Sequence, residues 1–436
     1  MSTLKLGVFT QKIKNIFWHL PKSVFYNYLY SFPSKKFTLI GVTGTDGKTT
    51  TSTLIYSILQ KAGYNTGLIT TIGARIGAKE ISTGLHTTSP DPSVIQKLFR
   101  DMAQAGITHV VCEVTSHALD QHRYWGCDFD ISALTNVTHE HLDYHRNMTN
   151  YIDSKARLFK QSKLAVLNKD DVSFDQIKGC IKSPVCSYGI KSKSDFQAKN
   201  IKLGEFLSFN VNGEKIVTDS NYSYQVYNIT CALAVISKLQ IDTKYLIDTV
   251  KTFPETKGRR EVVLNDLNIN TIIDFAHTPA ALQETLKSLK KVSKGKLLVI
   301  FGATGGRDPS KRPLMGQFVS ENSDIAFITA DDTRNENVND INRQIIEGIN
   351  PDTSLFVDNH HLSPDKIKKI ISKNQEKFIY FSIPNRQDAF NLAVKLAKNN
   401  DTIIACGKGH ETTILHGQTE YPWSEQEAYR TAFRLK

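Results

Sequence analysis

Residues 41–51 read GVTGTDGKTTT, a run of glycine, lysine and hydroxyl side chains suited to holding an oligophosphate. Glycine lets backbone N–H groups approach an anion, and the start of a helix adds partial positive charge. In such a loop Lys48 reaches the outer phosphates, and the hydroxyl of Thr49 or Thr50 ligates Mg2+. The spacing is not the strict G-x4-G-K-T form, because Val42 stands at the first glycine position. A glycine-threonine turn before any helix is the plainer reading. The apolar run at 37–42 and the helical pattern through Leu54, Ile55, Ile58 and Leu59 favour an ATP cradle instead.

Other polar clusters also follow short apolar runs. EVTSHALDQHR (113–123) places Glu113 at a strand end, where open α/β sheets position ligand chemistry. TNVTHEHLDYH (135–145) packs His139, Glu140, His141, Asp143 and His145 densely enough to suggest a metal, against the blander reading of a polar loop. Its order is one residue longer than the H-x-H-x-D-H box of metallo-β-lactamase-like hydrolases, a fold with no use for the glycine loop. YIDSKARLF (151–159) sets Lys155 on a helix, where alone it is a surface lysine. DFAHTP (274–279), FGATGGRDPSKRP (301–313), DDTR (331–334) and GKGHE (407–411) come later, each after a strand-like run. They converge on one sheet edge, where Arg307, Lys311, Arg312 and Arg334 offer cations to carboxylates or phosphates.

Two α/β domains are needed to position these segments. Strand-like runs at 37–42, 66–71, 109–114, 130–135 and 164–168 alternate with helical patterns at 48–62, 94–105, 151–162 and 226–239. That alternation predicts a mostly parallel sheet wrapped by helices, with a strand and hairpin insertion at 190–222. A second alternation has strands at 271–275, 297–302, 325–329, 377–381 and 402–406, and helices near 279–291, 338–349 and 386–399. It predicts a Rossmann-like C-terminal domain. The expected division is an arm at 1–36, an ATP-binding domain at 37–253 and a C-terminal α/β domain at 254–436. In the arm, apolar residues at helical spacing run to Leu20, Pro21 ends the run, and the aromatic stretch VFYNYLYSF follows. Such an arm either lies on an anionic membrane surface or, the favoured reading, packs its apolar face on the next domain.

The composition of these 436 residues, 40% hydrophobic and 22% charged, is ordinary for a soluble globular protein with more than one core. Six lysines and no acid in residues 1–36 supply more than half of the +11 net charge. The remaining mild excess suits a polyanionic nucleotide substrate, and without a DNA- or RNA-binding motif nucleic acid is not an expected partner. Six cysteines without a C-x-x-C pair argue against zinc ribbons and disulfides, and for a reducing cytoplasm. No run reaches membrane-spanning length, and the N-terminus lacks a signal-peptide core.

Residues 37 to about 430 resemble the Mur ligase family through seven motifs in collinear order, nearest its MurE type, the UDP-N-acetylmuramoyl-tripeptide synthetases. Folylpolyglutamate synthetases share the architecture, but their loop reads G-T-N-G-K-G-S. The resemblance implies an ATP-dependent ligase that adds a diamino acid to UDP-N-acetylmuramoyl-L-Ala-D-Glu through an acyl phosphate, in peptidoglycan synthesis. It implies that Gly44, Thr45, Asp46, Gly47, Lys48, Thr49 and Thr50 hold the phosphates of ATP, with Asn228, Asp274 and His277 toward the rest of the nucleotide. Lys48, Glu113, His141 and Lys155 become the catalytic set, and Thr50, Glu113, His141 and a carbamylated Lys155 the Mg2+ ligands. Thr87, Thr88, Thr115, Gln121 and Arg123 match residues that hold the UDP-linked substrate, Thr115 standing where Ser is usual. Arg307, Asp331, Asp332, Thr333, Arg334, Gly407 and Glu411 match the site of the incoming amino acid.

Two departures bear on these expectations. The family's N-terminal module, which grips the UDP end, is reduced here to the short arm. The diaminopimelate signature D-N-P-R appears as Asp331-Asp332-Thr333-Arg334. Meso-diaminopimelate is favoured because Arg334 and Arg307 can pair with its distal carboxylate. L-lysine is the rival, since Asp332 could neutralise Arg334 internally and accept a distal ammonium. Another muropeptide ligase of the family, or a non-catalytic nucleotide-binding homologue, are the remaining alternatives. A cytoplasmic monomer is expected.

Overall fold

Apolar β-branched runs become sheet interior in both halves of the chain. The computed structural model describes residues 11, 13–71, 73–77, 79–81, 89–204, 206–219, 222–251, 258–359 and 361–436. Two units emerge, one of residues 1–138 with 145–253, the other of 139–144 with 254–436.

In the first unit the strands are β1 (Thr38–Thr43), β2 (Thr66–Ile69), β3 (Ala74–Ile76), β4 (Lys79–Ile81), β5 (His109–Glu113), β6 (Phe129–Leu134), β7 (Ser162–Asn168), β8 (Val185–Gly189), β9 (Phe196–Lys202), β10 (Leu207–Val211) and β11 (Glu214–Thr218). They form one sheet in the order β11-β10-β9-β8-β7-β6-β1-β5-β2-β3-β4. Pairing is parallel from β9 to β2 and antiparallel in the ribbons at the two ends. β1 lies between β5 and β6, so the chain leaves it toward one side and later crosses to the other. The carboxyl ends of β5, β1 and β6 thus make a topological switch point, where such sheets bind ligands. The polar 190–222 stretch is the expected strand and hairpin. The β3–β4 ribbon, three residues a strand, is too short to stand out as a periodic pattern, and β8 (VCSYG) lacks an apolar run.

Capping explains where helices begin. Asp91 accepts from Ser93 N and starts Pro92–Gln104, and Asn147 accepts from Asn150 N and starts Met148–Lys160. Both starts precede the first apolar-periodic residue, hence the expected onsets at 94 and 151 were late. At the N-terminus Pro21 does not end the helix as expected. It takes an early position in Leu20–Leu29, after a widened turn over Asn15–His19. A proline lacks the N–H and clashes with the carbonyl four residues back, and a π-turn accommodates both defects.

In the second unit β12 (Arg259–Val262), β13 (Asn270–Asp274), β14 (Leu297–Phe301), β15 (Ile325–Thr329), β16 (Ser354–Phe356), β17 (Phe378–Ile383) and β18 (Thr402–Cys406) form a sheet ordered β12-β13-β18-β14-β15-β17-β16. Only β12 is antiparallel. The loops after β13, β14, β15 and β18 leave the same edge, as expected for the four polar motifs. A hairpin of β19 (Thr413–His416) and β20 (Thr419–Pro422) follows, then helix Glu425–Arg434.

Candidate active site

The loop after β1 is built from backbone positions that only glycine can take. Gly44 has φ +153°, and a Cβ there would meet Thr135 Oγ1 at 1.8 Å. Gly47 has φ +81° and caps helix Lys48–Lys61; its Cβ would meet Asn228 Oδ1 at 2.5 Å. The residues after β6 fix the loop, with Asn136 O accepting from Thr45 N (2.7 Å) and Asn136 Oδ1 from Asp46 N (3.0 Å). At the end of β5, buried Glu113 accepts from Thr49 Oγ1 (2.9 Å) and Thr71 N (3.2 Å), with Lys48 Nζ 4.0 Å away. Of the two candidate hydroxyls, it is Thr49 rather than Thr50 that meets Glu113. Lys48 Nζ also donates to Thr45 O at 2.7 Å.

Lys155 is no surface residue. It is 1% exposed, lies 4.4 Å from the Tyr151 ring centroid and donates to Gly44 O at 2.7 Å. Burial, reinforced by the Lys48 charge, pushes its ammonium well below the usual range. The dense histidines of 135–145 disperse instead of gathering. His139 Nε2 meets Asp308 Oδ2 (3.2 Å), His141 Nδ1 lies 3.9 Å from Glu140 Oε1, and buried His145 Nε2 meets Ser116 Oγ (3.0 Å). A metal box made of these side chains alone is therefore absent among the described residues. His141 sits at φ +57°, an uncommon conformation for a non-glycine residue. Burial lowers the His145 imidazole to about 3.

Thr115 caps helix Ser116–Asp120, its hydroxyl 3.1 Å from Ser89 Oγ. Arg123 reaches Pro90 O (3.3 Å) and forks onto Gln121 Oε1 at 3.1 and 2.7 Å. Thr115, Gln121 and Arg123 thus share one corner with Ser89, which sequence reading missed. Thr87 and Thr88 lie outside the described residues.

The second unit gathers charge on its loops. Lys408 is fully buried and serves three carboxylates: Asp332 Oδ1 at 2.7 Å, Asp331 Oδ1 at 4.0 Å, and Glu411. One ammonium cannot neutralise three acids, and burial pushes the Glu411 carboxyl up to about 7. These carboxylates form the only cluster with metal-ligand spacing among the described residues, and Lys408 already neutralises part of its charge. Asp332 is held by Lys408 (2.7 Å) and Leu415 N (2.9 Å), and its charge also favours the Arg334 guanidinium, as do those of Asp143 and Asp331. Thr333 Oγ1 meets His416 Nδ1 at 2.8 Å.

Arg334 stands at φ +49° beside Arg307, and its Nε is buried without a hydrogen-bond partner. Burial and the Arg307 charge both disfavour its guanidinium. The neighbouring cations are structural instead. Lys311 is buried against Glu140 (3.1 Å) and His277 O (3.1 Å), and Arg312 against Glu336 (2.7 Å) and Gln344 (2.8 Å). Asp274 is buried with its carboxyl raised, and His277, its Nδ1 2.8 Å from Phe275 O, is lowered by burial to about 3. The loops are braced from beneath by Arg386, which donates to Ala330 O and Cys406 O at 2.9 Å each and pairs with Glu425 Oε1 at 2.6 Å. A Cβ at Gly407 would meet Asp331 Oδ2 at 2.7 Å.

Residues 42–236 match the Mur ligase middle domain, and residues 258–409 match the Mur ligase, glutamate ligase domain. A UDP-N-acetylmuramoyl-L-alanyl-D-glutamate–2,6-diaminopimelate ligase of Clostridium acetobutylicum is 35% identical over 405 residues, 91% of this chain and 78% of that protein. The Bacillus cereus enzyme of the same name is 34% identical over 441 residues, covering 96% and 82%. A solved structure of a ligase with this name superposes at TM-score 0.59 and 26% identity over 91% of this chain and 78% of that one. A Mycobacterium tuberculosis folylpolyglutamate synthase, at TM-score 0.67 and 15% identity over 89% and 92%, shares the fold.

Proposed function

This chain belongs to the Mur ligase family, and from that premise we propose that it is an ATP-dependent ligase joining meso-diaminopimelate to UDP-N-acetylmuramoyl-L-Ala-D-Glu in peptidoglycan synthesis. The observation that carries the reading is the loop at the switch point, where Lys48 and the Thr49–Glu113 pair flank glycine-built backbone. A carboxylate is a poor electrophile, so the γ-phosphoryl of ATP converts the D-Glu side-chain carboxylate to an acyl phosphate. The amine then attacks the acyl carbon, and phosphate leaves from the tetrahedral intermediate. Lys48 neutralises charge as the phosphoryl moves.

Magnesium fits the hard oxygen donors of Thr49 and Glu113 in the first unit. When bound, it would neutralise the phosphate oxygens. Lys155 fits the family's carbamylated lysine, because burial favours its neutral amine. A neutral amine adds to CO2, forms an N–C bond and releases a proton, leaving a carboxylate. Thr115, Gln121 and Arg123, with Thr87 and Thr88, are assigned to the UDP-linked substrate. Asn228, Asp274 and His277 are assigned to the nucleotide, and Asp331, Asp332, Thr333, Gly407 and Glu411 shape the amino-acid site.

We prefer diaminopimelate to L-lysine because burial and the Arg307 charge outweigh Asp332, Asp143 and Asp331 at Arg334, and its Nε has no hydrogen-bond partner. A distal carboxylate completes that pair, whereas an ammonium would be repelled. Residues 37–253 and 254–436 are read as the ATP-binding and C-terminal ligase domains, acting as a monomer in the cytoplasm. The test is a ligase assay with the UDP-dipeptide, ATP and the two amino acids in competition. Tripeptide with stoichiometric ADP, and a higher kcat/KM for diaminopimelate, is expected. ADP without amide product refutes the ligase reading, and equal or better use of lysine refutes the choice of amino acid.

A further inference from the structure

The helical arm that ends at Leu29 is amphipathic in the reverse sense for a helix packed on a water-soluble domain. Its buried residues are polar: Asn15, Ser23 and Asn27. Asn15 Nδ2 donates to Asp120 Oδ2 at 2.6 Å, and Asn27 Nδ2 to Trp125 O at 2.5 Å, so this stripe is bonded to the body of the first unit. Ile16, Phe17, Trp18, Phe25, Tyr28 and Leu29 face outward, Phe17 at 74% and Trp18 at 66% exposure. The favoured expectation that the apolar face packs inward is met only by half-buried Leu20, Val24 and Tyr26, while most of the large apolar side chains face outward. Surface helices ordinarily turn the apolar stripe to the core, and a contiguous exposed apolar patch marks an interface.

Charge distinguishes the occupants of that face. Residues 1–36 contain six lysines and no acid, and Lys14, Lys35 and Lys36 are exposed. A second copy would set two acid-free basic segments against each other. An anionic lipid surface complements them, and Trp, Tyr and Lys are the side chains that settle at headgroup depth. No helix among the described residues is long and apolar enough to cross a membrane, so the arm would lie along the surface. We infer that the outer face of residues 16–29 docks this protein on an anionic bilayer. The inference is independent of the ligase reading.

The experiment is co-sedimentation of the full chain with phosphatidylglycerol-containing vesicles and with phosphatidylcholine vesicles, followed also by tryptophan emission. Binding to the anionic vesicles that weakens with salt is expected, with a blue shift lost in Trp18→Tyr. A Phe17→Ser/Trp18→Ser/Phe25→Ser variant should lose binding by about tenfold or more while keeping its thermal melt, because the substituted side chains are exposed. Lys14→Ser/Lys35→Ser/Lys36→Ser should lose mainly the preference for anionic vesicles. Absence of wild-type binding overturns the inference, as does equal binding by the triple serine variant. Lipid-free self-association abolished by that variant, without vesicle binding, would assign the face to a second copy instead.

Discussion

The phosphate loop of the first unit and the arginine pair of the second reach readiness by opposite routes. In the loop, Thr45 N, Asp46 N, Thr49 Oγ1 and Lys48 Nζ all have protein partners, and glycine conformations fix the shape. Around Arg334, burial and the neighbouring Arg307 outweigh the carboxylates of Asp332, Asp143 and Asp331, so the guanidinium is held at a cost. The first region is set by shape carried in the backbone, the second by like charges held close in side chains. A methyl group should therefore break the first, and a charge deletion the second.

The largest effect is expected at Lys155, which touches the loop through Gly44 O. Lys155→Ala should lower kcat by about a hundredfold to a thousandfold, or more. A small carboxylic acid that restores part of the rate would show that the anion, not packing, was lost. Near-normal turnover would mean the residue only fills space. Next comes Gly47→Ala, which imposes a left-handed conformation costing about 1–2 kcal/mol and drives a Cβ onto Asn228. A drop of roughly tenfold or more in kcat/KM for ATP, with the diaminopimelate KM less affected, would place the lesion in the loop.

Arg334→Ala should cost about 1–3 kcal/mol, roughly 5- to 150-fold in kcat/KM for diaminopimelate. The KM for ATP should hardly change, and selectivity over lysine should collapse; a parallel loss for both amino acids would contradict the charge argument.

Acid gives the smallest effect and touches both units. His145 and His277 are kept neutral when folded, with values near 3, against 6.5 for the free side chain. Between those values the unfolded chain binds more protons, so stability must fall as pH drops below about 6.5. Denaturant midpoints at pH 7 and pH 5 measure this, and His145→Gln should lessen the pH dependence of the first unit only.

The glycine loop was readable from residues alone because strand, turn and helix start are local features, and neighbours in sequence do the work. Strands β15 and β18 fell on their expected residues for the same reason. The partners of His139, His141 and His145 were not readable, since each is chosen by a residue distant in sequence or by the loop's conformation. Lys311 and Arg312 looked like free cations beside Arg307, and only Glu140 and Glu336 reveal that they are spent in packing. Periodicity identified the arm as amphipathic but carried no information on which stripe faces inward. That choice rests on Asp120 and on the Trp125 carbonyl, far along the chain.

The Arg386–Glu425 pair has a consequence for the order in which the protein is made. Arg386 supports the carbonyls immediately before Asp331 and Gly407, but its own counter-charge lies on the last helix, Glu425–Arg434. Tyr429 of that helix also bonds to Ile272 O and Ile403 O, one from each of two adjacent strands. Until that helix clears the ribosome, the sheet lacks a packing layer and a buried guanidinium lacks its anion, a state costly enough to stay open. The second unit must then close only once helix Glu425–Arg434 has emerged, whereas the first can finish earlier in synthesis. A nascent chain stalled before Glu425 should accordingly present a protease-resistant first unit joined to a second that is still digestible.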